Sequence, residues 1–304
     1  MDAKERTLVF PGPASPGFTL APQRRGPGDP CYQLDAQRAI WRTSLQTSGP
    51  VTARIHRTAP DTVTCQAWGD GAQEYVDALP ALLGFDDDAS DFRPQHPVVA
   101  AAAARVPHLR LGRTARVLEA LVPAVIEQRV PGADAFRAWR LLVTKFGSPA
   151  PGPAPARMRV PPSAEAWRRI PSWEFHRANV DPGRARTIVG CAQRAATLER
   201  QSRRAVVEAR EALTTLPGVG VWTAAEVAQR AFGDADALSI GDYHISKMIG
   251  WTLIGRPVDD AGMVELLEPM RPHRYRVVRM LEASGLAVEP RRGARLPVQQ
   301  ISKL

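Results

Sequence analysis

The chain of 304 residues is 44% hydrophobic and 23% charged, enough to bury a core and to form more than one domain, which excludes a wholly disordered protein. Only four of its 40 basic residues are lysines (Lys4, Lys145, Lys247 and Lys303), so 36 arginines set against 31 acids carry the formal charge of +9. Arginine's planar fork of donors suits phosphate, so a nucleic-acid partner is one expectation, although an Arg-, Ala- and Pro-rich chain is also what a GC-rich genome encodes by default.

No stretch reaches 18 apolar residues, so no membrane span is expected, and the acids and prolines near the N-terminus do not resemble a signal peptide. Cys31, Cys65 and Cys191 lie far apart without a CxxC pair, and the six histidines show no HExxH spacing. No metal centre is therefore expected, and the localisation read from these features is a reducing bacterial cytoplasm.

Residues 1–30 carry Pro11, Pro13, Pro16, Pro22, Pro27 and Pro30 with interleaved glycines, and are expected to form a disordered tail. Next, residues 51–55 and 62–68 are β-branched alternating runs flanking Ala59-Pro60-Asp61, the pattern of a hairpin. Residues 71–83 read as an amphipathic helix stopped by Gly84. The stretch 31–112 is thus expected to be a mixed α/β domain. From Arg113 the periodicity is helical: Val117, Leu118, Leu121, Val122, Val125 and Ile126 make one apolar face, and a second helix around Trp139 ends at Phe146-Gly147. After a proline-rich connector at 148–155, helical stretches follow near 164–169, 184–196, 203–216, 222–232, 244–253 and 273–284. The fold class expected is α+β, with a helical domain at 113–290 and a basic tail at 291–304. That tail ends Ser302-Lys303-Leu304, a weak match to a peroxisomal address.

The stretch that bears on chemistry is Leu216-Pro217-Gly218-Val219-Gly220-Val221-Trp222-Thr223-Ala224. Pro217 closes one helix, and Gly218 and Gly220 permit a tight turn whose amides point outward at the start of the next. Such a turn suits a phosphate. A plain glycine turn between packed helices has the same composition, so the turn by itself leaves both options open. Further on comes Gly241-Asp242-Tyr243-His244-Ile245, where Asp242 opens another helix and could be no more than its N-cap.

Hairpin, amphipathic helix and Gly241-Asp242-Tyr243, in that order, resemble the helix-hairpin-helix DNA glycosylase superfamily, in particular the AlkA-like DNA-3-methyladenine glycosylase II group. Residues 121–128 resemble the helix that leads to the loop entering the DNA minor groove. Phe146-Gly147 falls where the next helix of that group ends, the segment 49–85 is similar to its N-terminal domain, and Arg271-Pro272-His273-Arg274 resembles the start of its last long helix. The likeness spans about residues 32–290.

This resemblance implies that Asp242 is catalytic and that Gly218, Val219, Gly220 and Thr223 form the hairpin gripping the DNA backbone. Trp222 would stack on the flipped base, unless it is only a core tryptophan; His273 would line the same pocket, and Tyr243 either lines it too or serves only in packing. Gln128 and Arg129 would form the wedge that fills the gap. Three positions depart from the group's pattern: Arg129 replaces an apolar wedge, Glu127 replaces a small glycine, and His273 stands where a tryptophan is common. The lysine that strand-cutting relatives carry two positions after the second hairpin glycine is here Trp222, so no Schiff base can form there. Nor does any cysteine after Cys191 match the iron-sulfur ligands of the endonuclease III branch.

The implied activity is a monofunctional DNA N-glycosylase of base excision repair, releasing alkylated purines of the 3-methyladenine type. Its expected partner is damaged double-stranded DNA, with no membrane association; the protein would be a monomer, bound to the nucleoid when on DNA. No cofactor is implied beyond an alkali ion at the hairpin. Arg129, Arg271, Arg274 and Lys247 are the expected points of contact between charge and DNA. The alternatives are a glycosylase of the same fold for another lesion, and a non-catalytic DNA-binding or damage-sensing protein.

Overall fold

The structure, a computed structural model, describes residues 2–288, so the expected tail at 291–304 lies outside the described residues. The chain opens with strand β1 (Lys4–Val9), helix α1 (Pro16–Leu20) and strands β2 (Tyr32–Leu34), β3 (Ile40–Leu45), β4 (Pro50–Ala59) and β5 (Thr62–Trp68). These form one antiparallel sheet in the order β1-β5-β4-β3-β2. The β4–β5 hairpin lies where the alternating runs place it. Period-2 burial puts Val51, Ala53 and Ile55 on the same face as Val63, Cys65 and Ala67, with Ile55 opposite Cys65 and Ala53 opposite Ala67. Helices α2 (Ala72–Asp77) and α3 (Leu79–Leu82) cover that face with Tyr75, Val76 and Leu79. Across the sheet, Trp41 and Trp68 stack at 5.7 Å between ring centroids and pack against Met158.

The expected disordered tail at 1–30 is instead part of this domain. Leu8 pairs opposite Val63, and Leu8, Phe10, Ala14 and Leu20 are buried in the same core as the sheet. Pro16 and Pro22 sit in the first turns of short helices, where a missing N–H costs nothing. Proline and glycine content signalled the absence of long regular elements, not the absence of burial.

The boundary expected near residue 112 also moves. Helix α4 (Pro97–Arg105) packs on the last helix of the fold, and its Val99 and Ala102 share a core with residues 238–281. Two helical clusters follow from this. The first holds α5 (Val117–Glu127), α6 (Gly132–Phe146), α7 (Ala164–Arg169), α8 (Ser172–Arg177), α9 (Pro182–Gln193), α10 (Ala195–Glu199), α11 (Val206–Thr214) and α12 (Val221–Val227). Helix α12 continues as a π-helical turn, Ala228–Phe232. The proline-rich connector carries the short strands β6 (Ser148–Pro149) and β7 (Arg159–Val160), which return the chain to the sheet. The second cluster joins α4 to α13 (Ile245–Ile254), α14 (Asp260–Leu267) and α15 (Arg274–Ser284). The glycine hairpin therefore belongs to one cluster and Asp242, just ahead of α13, to the other.

Two measurements test this architecture. Leu20 is 1% exposed, so Leu20→Ala is expected to lower the unfolding free energy by about 2–5 kcal/mol in chemical denaturation, whereas a change in a loose tail would cost nothing. All three cysteines are buried, and burial raises their thiols, Cys65 to about 12 and Cys191 to about 11. A raised pKa leaves the unreactive thiol in place below it. At pH 8 the native protein should thus resist a disulfide-exchange reagent that titrates all three after unfolding.

Candidate active site

Between α11 and α12 the turn is built around Gly218, whose φ is +82°. A side chain there is barred twice: by that left-handed conformation, and by Thr187 of α9, whose hydroxyl would lie 2.0 Å from an added Cβ. Gly220 differs. It precedes α12 in extended conformation, and an added Cβ would meet nothing within 4 Å. The backbone there is open to a close approach from outside, while Val219 between the two glycines is buried and anchors the turn. The opening amides of a helix have no intrahelical acceptor, so this open corner offers N–H groups to an anion.

On the facing cluster, Asp242 follows Gly241, which has φ +88°. Its Oδ1 accepts the backbone N–H groups of His244 (2.8 Å) and Ile245 (3.1 Å) as α13 begins. Its Oδ2 accepts the indole N–H of Trp222 at 3.1 Å. Trp222 and Asp242, expected to cooperate, are thus in direct contact, but through the edge of the indole and not through a stacked face. Asp242 is not the N-cap of α13, which is His244 two residues on; its carboxylate bonds the amides at that helix start and remains partly exposed. Tyr243 points away from the interior at 69% exposure, with the Lys247 ammonium over its ring at 4.3 Å and His244 at its edge.

The third component is the loop after α5. Gln128 donates from its amide nitrogen both to the carbonyl of Gly218 (2.9 Å) and to the hydroxyl of Thr223 (2.8 Å), tying the loop to the hairpin. Arg129, next in the chain, is exposed and holds φ at +54°, a conformation that non-glycine residues seldom adopt. Hairpin, carboxylate and projecting arginine are thereby brought together from three parts of the sequence.

The fold has counterparts among solved structures. The chain superposes on the 3-methyladenine DNA glycosylase from Archaeoglobus fulgidus with a TM-score of 0.76, over 92% of this chain and 98% of that one, at 16% identity. The chain has the helix-hairpin-helix DNA glycosylase fold. The 8-oxoguanine glycosylase/lyase of Clostridium acetobutylicum, in its apo form, gives a TM-score of 0.71 over 93% and 98% of the two chains at 11% identity. A Schizosaccharomyces pombe 3-methyladenine DNA glycosylase in complex with abasic DNA aligns over 63% of this chain and 93% of its own, at 15% identity and a TM-score of 0.50. No protein-family model and no curated protein sequence matches the chain.

Within this glycosylase fold, some expected contacts fall elsewhere. His273 is buried at 4% exposure, bonded to Asp91 (2.8 Å) and Arg276 (3.1 Å) and set edge-on to Phe92. It packs the base of α15 and does not reach Asp242 through any of these contacts. Arg274, expected to face DNA, is likewise buried and grips Asp236 with two nitrogens, at 2.6 and 2.8 Å. Arg271 stays exposed beside Glu268 at 3.0 Å. Sequence reasoning missed Thr187, which fixes the hairpin, and Arg25, which binds Glu127 at 2.9 Å. The unusual glutamate at 127 was the available signal for a partner. Among the described residues no three His, Cys, Asp or Glu side chains converge on a metal, although the turn's carbonyls are the hard oxygen donors an alkali ion takes.

The two glycines should respond differently to a methyl group. Gly218→Ala is expected to cost about 1–3 kcal/mol of stability from its φ alone, in thermal or chemical unfolding. Gly220→Ala should leave the melting temperature unchanged and weaken duplex DNA binding about tenfold, because only the approach of a phosphate is obstructed.

Proposed function

We propose that the chain is a monofunctional DNA N-glycosylase that removes alkylated purines of the 3-methyladenine type from duplex DNA. The observation that carries this is the Asp242 carboxylate: oriented by three donors, partly exposed, and bonded to Trp222 in the first turn of the helix that follows the glycine hairpin. A protein that only bound DNA would be penalised for a carboxylate there, since it repels phosphate.

An alkylated purine carries positive charge, so its bond to C1′ is weak and the electron pair leaves with the base. Asp242 stabilises the developing oxocarbenium-like sugar, and water adds to C1′ to leave an abasic site. The indole N–H of Trp222 and the two amides at the start of α13 hold that carboxylate in place. Reaching the bond requires extruding the base, and Arg129, projecting beside the hairpin, fills the space it leaves. An alkali ion would be held by the carbonyls of the turn and would add positive charge beneath the bound phosphate. Strand cleavage through a Schiff base needs an amine where Trp222 stands, and an indole cannot supply it.

The purified protein should release 3-methyladenine from methylated DNA and leave sites that break only on later alkali treatment. Asp242→Asn should reduce release about 100-fold or more while duplex binding persists. Full activity of that variant would remove this mechanism; release of 8-oxoguanine alone from a lesion panel would replace the substrate class, and binding without any release would leave the DNA-binding alternative.

A further inference from the structure

The loop that presents Arg129 is restrained at three consecutive residues. Arg184 of α9, itself buried and paired with Asp181, donates to the carbonyl of Ile126 at 2.6 Å. Gln128 is fixed to the hairpin, as described above. Between them, Glu127 is held by Arg25, a residue of the N-terminal segment more than a hundred positions earlier in the chain, with side chains only 7% (Arg25) and 17% (Glu127) exposed.

The segment that carries Arg25 is itself pinned to the helix on the far side of the loop. The Arg25 amide donates to Asp29 at 2.7 Å, and Asp29 in turn accepts the Cys31 amide at 2.9 Å and the Trp139 indole N–H of α6 at 3.0 Å. Gly26, with φ +77°, lies so close to Phe136 of α6 that an added Cβ would sit 2.7 Å from its ring. Residues 25–31 therefore bridge the last residue of α5 and the first turns of α6, and the loop that bears Arg129 is what lies between.

We infer that Arg25 is a positioning residue for base extrusion: its ion pair with Glu127 braces the Gln128–Arg129 loop so that Arg129 can displace a base from the stack. This rests on the glycosylase function proposed above. A side chain that opens a base stack is pushed back by it, and a hinged loop would yield to that push. Bracing from both flanks removes the hinge. The pair also neutralises a carboxylate next to the residue that ties the loop to the glycine turn.

If the brace serves extrusion, it is needed only while the base is stacked. Single-turnover release of one N7-methylguanine is to be measured in a matched duplex and in a one-nucleotide bulge, where the base has no pairing partner and costs less to extrude. Arg25→Met and Glu127→Gln are expected to slow release from the matched duplex at least tenfold and from the bulge less than twofold, with Arg25→Lys restoring the matched rate. The double variant Arg25→Met/Glu127→Leu, which removes both charges together and avoids a buried unpaired one, should show the same split. In parallel, fluorescence of a 2-aminopurine placed next to an abasic analogue should rise with the wild-type protein and rise less with the variants.

Equal losses on both substrates would assign the pair a merely structural role, and unchanged rates on both would remove the inference. Should the wild type release N7-methylguanine from neither substrate, the glycosylase function fails for this base, and the fluorescence comparison alone decides whether the pair positions the wedge.

Discussion

Helix α5 is buried almost from end to end, nine of its eleven residues lying inside the protein, and the rest of the structure is arranged around what such a helix requires. Its apolar surface needs neighbours on every side, and its polar ends, removed from water, need partners. Those partners come from distant parts of the chain. Glu199 accepts the first amides, Val117 at 2.9 Å and Leu118 at 3.0 Å, while Arg42 of β3 pairs with Glu119 within the first turn. At the other end, Arg184, Arg25 and the glycine hairpin take up Ile126, Glu127 and Gln128. One buried helix thereby fixes the sheet, the N-terminal segment and the glycine turn relative to one another.

The arginines follow from the same constraint. Arg42, Arg274 and Arg276 join elements far apart in sequence, pairing with Glu119, Asp236 and Asp87 respectively. Arg230, on the π-helical turn, reaches Glu226 at 2.7 Å and the carbonyl of Pro22 at 2.9 Å. Burial acts to lower its pKa, but the Glu226 carboxylate raises it and the balance is upward, so the Arg230 guanidinium stays charged. Breaking such a buried pair at one side leaves an uncompensated charge, so each acts as a condition on the packing of two elements rather than as an additive gain. A residue type that composition alone associates with phosphate is used here largely to bind the protein to itself.

The candidate site lies where these restraints meet. The hairpin sits on one helical cluster and Asp242 at the edge of the other. Trp222 reaches from the start of α12 to Asp242, so one side-chain hydrogen bond joins the helix after the hairpin to the segment ahead of α13.

Local patterns were legible in the residues. The β4–β5 hairpin, the helices on either side of the glycine turn, and the place of Asp242 just ahead of a helix all follow from alternation, glycine conformation and side-chain reach, which depend on a few neighbouring residues. The order of β1 and α1 was hidden because prolines mark short elements and loose tails alike, and only pairing with β5 separates the two. The partners of His273, Arg274 and Glu127 were hidden for a related reason. A buried ion pair joins residues far apart in the chain, and nothing in the local sequence of Glu127 names Arg25. The sequence by itself determined the turn, the carboxylate and the absence of an amine at Trp222, because each is a property of residue type at a short spacing. Only the tertiary structure decided which arginines face outward and what holds the Arg129 loop, because both depend on which distant charges burial forces together.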